Sequence, residues 1–334
     1  MKPKTLVILV GILVLVALGM QFPTPKPEIS LQAETVGLVL GFPVSNALIA
    51  TWITMAILIL IALRIRGRTG DVPSGLQNLI EFALEWIFSL CQNVAGKNAR
   101  RFFPLVATIF LFVILNNWMG LLPGYGTIGL VKEPGKQGHS YSFNEVQLGP
   151  LKLGLLMPPT GQAEAKTEQG AKETAKADHE TLPGQITGSF VPFFRGASTT
   201  LTTTIALALV AVAMIEWFGI TSLGFFPYIS RFINVRRLRK GNFMGIIDAF
   251  VGLLEGVAEG ARIISFGFRL FGNMFAGEVL LLIIPFLMAW VVPLLFYGLE
   301  LFVGAIQALV FALLTLVFAT MAATSHSESH EAQH

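Results

Sequence analysis

A chain of 334 residues that is 54% hydrophobic and only 13% charged, with a mean hydropathy of +0.69, is not a soluble globular domain, which carries about 25% charged residues. It is a polytopic membrane protein, and its formal net charge of +3 is small enough that the position of each charge matters more than the sum. The single cysteine, Cys91, excludes an intramolecular disulfide and a cysteine-based metal cluster. All five histidines (His139, His179, His326, His330 and His334) lie in polar segments, so proton chemistry inside a membrane falls to carboxylates.

Residues 1–22 hold an apolar run, Thr5–Met20, behind Lys2 and Lys4, which is either a signal peptide or an uncleaved N-terminal anchor. Gln21–Gly41 is expected outside in both cases. Phe42–Leu63 predicts a membrane span of about 20 residues. It ends in Arg64, Arg66 and Arg68, which the positive-inside rule places in the cytoplasm. In Leu76–Val94, Ile80, Ala83, Leu84, Ile87 and Leu90 recur at helical spacing with Glu81, Glu85 and Gln92 between them, predicting an amphipathic helix at the membrane surface.

Phe102–Leu122 predicts the next span, rising from Lys97, Arg100 and Arg101 and stopped by Pro123-Gly124. The polar insertion 131–185 follows, near low complexity over Thr160–Thr181, and is expected to be a mobile external loop. Phe190–Phe218 returns to the inside, where Arg231, Arg236, Arg237, Arg239 and Lys240 form the densest basic cluster. Gly245–Ile284 then runs about 40 residues without proline, a helix of ~60 Å against a ~30 Å hydrocarbon core. Such a helix has to be tilted, bent or partly outside the bilayer. Pro285 and Pro293 bracket a turn, Leu294–Ala323 comes back, and 324–334 is a cytoplasmic tail. The fold class is therefore all-α and polytopic. About five core transmembrane helices in 42–323 accompany one surface helix, and the last two helices form a long hairpin. No internal repeat is evident, which argues against an inverted-repeat transporter.

Asp248, Glu255, Arg262 and Arg269 are spaced by seven and fall on one drifting helical stripe, with Glu259 and Asn273 near it. Salt bridges such as Glu255–Arg262 or Glu259–Arg262 would explain the outer members. They do not explain Arg269, which has no acid three or four residues away. A guanidinium keeps its proton and costs at least ~2.5–3.5 kcal/mol inside a bilayer, so its partner has to come from another helix or another protein. Glu278 lies nine residues on, on the opposite face, while Glu300 and Gln307 share a face of the last helix. Two carboxylates at membrane depth suit a proton relay; the alternative is a polar clamp between helices. Asn116, Asn117 and the threonines at 199, 200, 202, 203 and 204 either line a wet cavity or cap helices and bond their own backbone.

The block Arg269-Leu-Phe-Gly-Asn273-Met-Phe-Ala-Gly-Glu278, with Gln307-Ala-Leu-Val-Phe and Asn117-Trp-Met-Gly-Leu-Leu-Pro-Gly124, resembles subunit a of the F-type ATP synthase membrane sector. The resemblance covers most of Phe42–Ala323. It implies that Arg269 is the stator arginine facing a rotating ring of c subunits, with Asn273 and Gln307 beside it. It places Glu278 on one aqueous half-channel and puts Glu300 where some relatives carry histidine. Glu255 matches an acidic position near the cytoplasmic half-channel, and Asn117 an asparagine near the outer entry. This sequence departs from the family at Thr200 and Thr202, where relatives often have Asp and Asn, and in its external insertion and first apolar run.

The function implied is that of a non-catalytic ion-channel subunit, in which two half-channels carry protons to and from the c ring and Arg269 separates them. The partners implied are the c ring, the b-subunit peripheral stalk, the remainder of the F1Fo ATP synthase and the lipid bilayer of a bacterial inner membrane. No nucleic acid, cofactor or metal is expected. No phosphate-binding loop is present, so ATP chemistry belongs to other chains. The alternatives are a stand-alone proton or sodium transporter using Glu278 and Glu300, and a receptor or structural bundle. The unpaired Arg269 and the missing repeat favour the rotary stator over both.

Overall fold

The structure is a computed structural model that describes residues 33–39, 41–66, 75–122, 125–126, 129–132, 141–148, 151–155, 185–232, 243–287 and 292–324. The first apolar run, the low-complexity segment 160–181, Pro123-Gly124, the basic residues 236–240, the tail beyond 324 and all five histidines lie outside the described residues.

Among the described residues there are seven α-helices: α1 (Asn46–Arg66), α2 (Leu76–Ala95), α3 (Ala99–Met119), α4 (Leu201–Leu223), α5 (Phe225–Phe232), α6 (Phe243–Leu287) and α7 (Val292–Ala323). Among the described residues five stretches are long and apolar enough to cross a membrane: Asn46–Arg66, Gln77–Met119, Leu201–Leu223, Phe250–Pro285 and Val292–Ala323. The protein is thus mostly helical and polytopic, as its sequence predicts. It divides into two compact units.

The helical unit comprises Thr51–Trp118, Ala197–Ala276 and Leu301–His334. Its core is built where helical spacing puts apolar side chains on one face. Phe102, Val106, Ile109, Phe110 and Val113 of α3 meet Ala208, Ala211, Ile215 and Phe218 of α4, Phe266, Leu270 and Met274 of α6, and Ala308, Phe311, Ala312 and Leu316 of α7. Phe266 packs against Phe311 with ring centroids 5.1 Å apart, and Phe102 against Phe218 at 5.0 Å. Without a hydrophobic drive between helices in lipid, small residues that permit close approach matter most. Gly267 illustrates this: a Cβ there would lie 3.0 Å from Ile205 Cγ1 and 3.3 Å from Ile205 Cα.

Ile87, Cys91 and Ala95 of α2 join this core, whereas Glu81 and Glu85 are exposed. The amphipathic pattern of Leu76–Val94 is therefore real, and its apolar face packs on protein. Gly96, in the left-handed region at φ 52°, ends α2 by donating its N–H to the Gln92 carbonyl. A short 3-10 turn then leads into α3. The outward faces stay apolar: Trp52, Ile59, Leu60 and Leu63 of α1 and Leu253, Leu254 and Val257 of α6 are exposed, as lipid contact requires.

The other unit comprises Met1–Ala50, Met119–Gly196 and Gly277–Glu300. Here the sequence expectation changes. The polar insertion carries a four-stranded antiparallel sheet, β3 (Gly129–Lys132), β4 (Tyr141–Leu148), β5 (Leu151–Leu155) and β6 (Gln185–Pro192), in the order β3-β6-β4-β5. A hairpin of β1 (Thr35–Val39) and β2 (Phe42–Ser45) precedes α1. The expected span from Phe42 therefore begins four residues later. Ser45 Oγ accepts the Leu48 N–H at 3.3 Å, an N-terminal cap. Asn46 donates to the Pro192 carbonyl at 3.3 Å, tying the start of α1 to β6.

The span expected from Phe190 also starts later, at Leu201, because β6 occupies its first residues and a 3-10 turn, Ala197–Thr199, intervenes. Helix α6 continues through Pro285 to Leu287. A proline so near a helix end forgoes one internal hydrogen bond, so it does not stop the helix at Ile284.

Candidate functional site

In the helical unit the polar residues of α6 and α7 converge. Gln307 of α7, only 4% exposed, uses both ends of its amide. Its Nε2 donates to the backbone carbonyl of Arg269 at 3.0 Å, and its Oε1 accepts from Asn273 Nδ2 at 3.0 Å. Arg269 and Asn273, four apart, lie on one face of α6, so one buried amide fixes the register of the two helices at that point. The Arg269 side chain is exposed, and no carboxylate among the described residues pairs with it. A lone guanidinium thus projects from an apolar helix whose backbone is pinned beneath it.

One to two turns earlier on α7, Asn117 of α3 donates to the Gly304 carbonyl at 2.9 Å, and Trp118 Nε1 donates to the Leu301 carbonyl at 3.1 Å. A Cβ on Gly304 would lie 3.2 Å from Asn117 Cβ, so the glycine is what lets the amide reach the α7 backbone. Asn117 Oδ1 is buried without a protein partner. Asn116 donates to Ser198 Oγ at 3.1 Å. The threonines choose between the two roles the sequence left open: Thr200 Oγ1 donates to the Ala197 carbonyl at 2.9 Å and Thr204 Oγ1 to the Leu201 carbonyl at 3.1 Å. These two hydroxyls serve the entry of α4.

Along the polar stripe of α6, Arg262 pairs with Glu259 at 2.6 Å and lies 4.1 Å over the Phe318 ring. Glu255 is half-buried. The Asp248 side chain lies outside the described residues. Two residues the sequence reading passed over join this cluster: Tyr228 of α5 donates to Glu216 Oε2 of α4 at 2.5 Å, and Glu216 faces Glu259.

The sheet-bearing unit holds the two other acids. Glu278 is gripped on both oxygens by Arg195, with Nε 3.1 Å from Oε1 and Nη2 3.0 Å from Oε2. Arg195 is 8% exposed. It lies just after β6, inside the stretch Phe190–Phe218 that the sequence predicts as a span. The signal was available, since an arginine in Phe193-Phe194-Arg195 raises the same question as Arg269. Glu300 is 6% exposed, and its Oε1 is buried with no hydrogen-bond partner. Its carboxyl lies where a side chain on Gly277 would begin, so it packs on the α6 backbone. Nearby in the chain, Tyr125 stacks on Phe194 with centroids 5.6 Å apart, and burial pushes its phenol up to about 12. Among the described residues no three His, Cys, Asp or Glu side chains are grouped to hold a metal.

Comparison with known proteins adds to this geometry. The profile of the family described as "ATP synthase A chain" matches residues 48–320. The chain is 28% identical to ATP synthase subunit a of Gloeobacter violaceus, over 85% of this chain and 86% of that one. It is 25% identical to subunit a of Moorella thermoacetica, over 83% and 89%. For subunit a of Helicobacter pylori strain Shi470 the identity is 26%, over 80% and 84%.

Proposed function

The chain belongs to the ATP synthase A chain family and is a multi-pass membrane, ion-channel subunit of an F-type ATP synthase; from that premise we propose how its residues carry protons. Two aqueous half-channels stop short of each other. A proton enters by one, neutralises a carboxylate on a ring of c subunits, travels with the ring through lipid, and leaves by the other. Arg269 stands between the two paths. Its fixed charge attracts a deprotonated ring carboxylate, disfavours a protonated one, and cannot itself relay a proton.

The observation that carries this reading is the pairing pattern. Arg269 is exposed without a carboxylate among the described residues, while Gln307 pins its backbone and holds Asn273. A cation that its own fold leaves unpaired on an apolar helix suits a partner that arrives and departs. Glu278 and Glu300 serve the half-channel on one side with Asn117 near its entry, and Glu255 serves the other. The partners are the c ring and the b-subunit peripheral stalk, within a bacterial inner membrane and with the C-terminus in the cytoplasm. A potential of 100 mV contributes ~2.3 kcal/mol per elementary charge, so each ATP requires several protons.

The test is contact with the ring. A cysteine at Ala276, which is exposed on α6, is oxidised in membranes against single cysteines along the lipid-facing helix of the c subunit. Disulfide-linked a–c dimers clustered around the c carboxylate are expected. Absence of cross-linking at every c position, with the complex intact, would overturn the ring-facing assignment.

A further inference from the structure

In the helical unit three cations follow one another where α2 turns into α3: Lys97 in the 3-10 turn, and Arg100 and Arg101 in the first turn of α3. All three are exposed, and no carboxylate among the described residues bridges to any of them. The first turn of α3 contains no acid, so the partial positive charge of the helix end adds to theirs. Positive charge at the end of a span is ordinary. Here, however, one of the three is held in place. Arg101 donates from Nη1 to Ser222 Oγ at 2.7 Å and from Nη2 to Thr221 Oγ1, and its guanidinium lies 5.5 Å from the centre of the Phe218 ring. Thr221 and Ser222 belong to the last turn of α4. Arg101 thus bridges two helices at one end of both. The surface beside that bridge is apolar and open. Trp217, one turn before Thr221 on the same face of α4, is 59% exposed, and Pro104, one turn after Arg101 on α3, is exposed too. Tryptophan is enriched at the membrane–water boundary, at the level of lipid headgroups.

We propose that Lys97, Arg100 and Arg101 form a headgroup site for an anionic phospholipid whose acyl chains lie over Trp217 and Pro104. Basic pockets between membrane helices suit headgroups that carry more than one phosphate. Three cations exceed the charge of a single phosphodiester, so diphosphatidylglycerol, with two phosphates, is the best match. An arginine offers a phosphate two parallel donors. Arg101 meets it with a side chain already ordered by α4, so little rotamer freedom is lost on binding. An inorganic anion would meet the same charges and gain nothing from Trp217.

The experiment titrates the full chain, in a zwitterionic detergent, against fluorescent diphosphatidylglycerol, with size-exclusion elution confirming the fold of each variant. Unlabelled diphosphatidylglycerol should compete, whereas phosphatidylcholine and excess inorganic phosphate should not. Each cation lost from an anionic headgroup weakens binding about fivefold. Lys97→Gln/Arg100→Gln, which leaves the contact between α3 and α4 intact, should therefore bind about twentyfold more weakly, and the triple variant with Arg101→Gln about a hundredfold. Arg101→Lys, which keeps the charge and loses the fork, should fall between the parent and Arg101→Gln. Trp217→Ala should weaken binding about fivefold by removing an aromatic contact. Arg64→Gln/Arg66→Gln, which removes two cations from the last turn of α1, should bind as the parent does. Equal loss in that control would reveal a diffuse field of charge and overturn the site. Unchanged binding by Lys97→Gln/Arg100→Gln would overturn it as well. Displacement by inorganic phosphate, or full affinity in Trp217→Ala, would overturn the phospholipid as its occupant. Undetectable binding by the parent would also overturn the proposal and leave the three cations to an acidic protein segment.

Discussion

Gln307 shows how much rests on a single buried amide. It touches the Arg269 backbone and the Asn273 side chain at once. Two hydrogen bonds of about 1 kcal/mol each convert to roughly thirtyfold in a rate that depends on both. Gln307→Ala should therefore slow pumping by about that factor in assembled complexes, and Gln307→Glu, which keeps the acceptor toward Asn273 but loses the donor toward Arg269, should lie between. Gly277 gives a second prediction at this scale. A Cβ there would displace the Glu300 carboxyl. Gly277→Ala should slow pumping by about threefold or more, as overpacking forces the carboxyl to shift, while c-ring copurification stays normal. Arg269, Asn273 and Gln307 were legible in the sequence because a charge in an apolar run has no bland explanation. The partner of Glu278 was not. Arg195 is 83 residues away in the chain, and no local spacing rule reaches that far.

Helices were legible as elements and their ends were not. The apolar run beginning at Phe42 looks continuous, yet Phe42–Ser45 pairs as a strand and Ser45 caps the helix that follows. Strand β4 was hidden for a related reason. Its apolar residues alternate at Tyr141 and Phe143, then slip phase across Asn144-Glu145 before Val146 and Leu148, so the period of two breaks within the element. Helix packing offers its own test. Gly267 faces Ile205 at a distance that leaves no room for a side chain, whereas a Cβ on Gly260 meets nothing within 4 Å. Gly267→Val should destabilise the detergent-solubilised protein by about 1–3 kcal/mol through overpacking. Gly260→Ala should be neutral or stabilising by up to about 1 kcal/mol, since glycine is the poorer helix former. Thermal unfolding followed by size-exclusion recovery distinguishes them, and equal loss in both would contradict the packing account.

At the scale of the whole molecule, the distribution of arginines predicts the topology: Arg64–Arg68 and Arg231–Lys240 inside, Val131–Gln185 outside. Cys91 is buried and behaves as a small apolar residue, so Cys91→Ala gives a background for single introduced cysteines. An impermeant thiol reagent applied from outside should label the 131–185 segment and spare 231–240; the reverse pattern would invert the arrangement. The family and the membrane class were legible because composition and one polar block carry them. The sheet in the insertion was not, because a polar, low-complexity middle masks strands at its two ends. The central claim is that Arg269 is the charge separating two proton paths, and its removal tests that claim most directly. An interaction that offsets the ~2.5–3.5 kcal/mol cost of holding this charge in a bilayer corresponds to about a hundredfold in rate. In inverted vesicles with the complex assembled, Arg269→Ala should lose ATP-driven proton pumping by at least that factor while passive proton leak rises, and Arg269→Lys should be similarly impaired. Near-normal coupled pumping by Arg269→Ala would contradict the account.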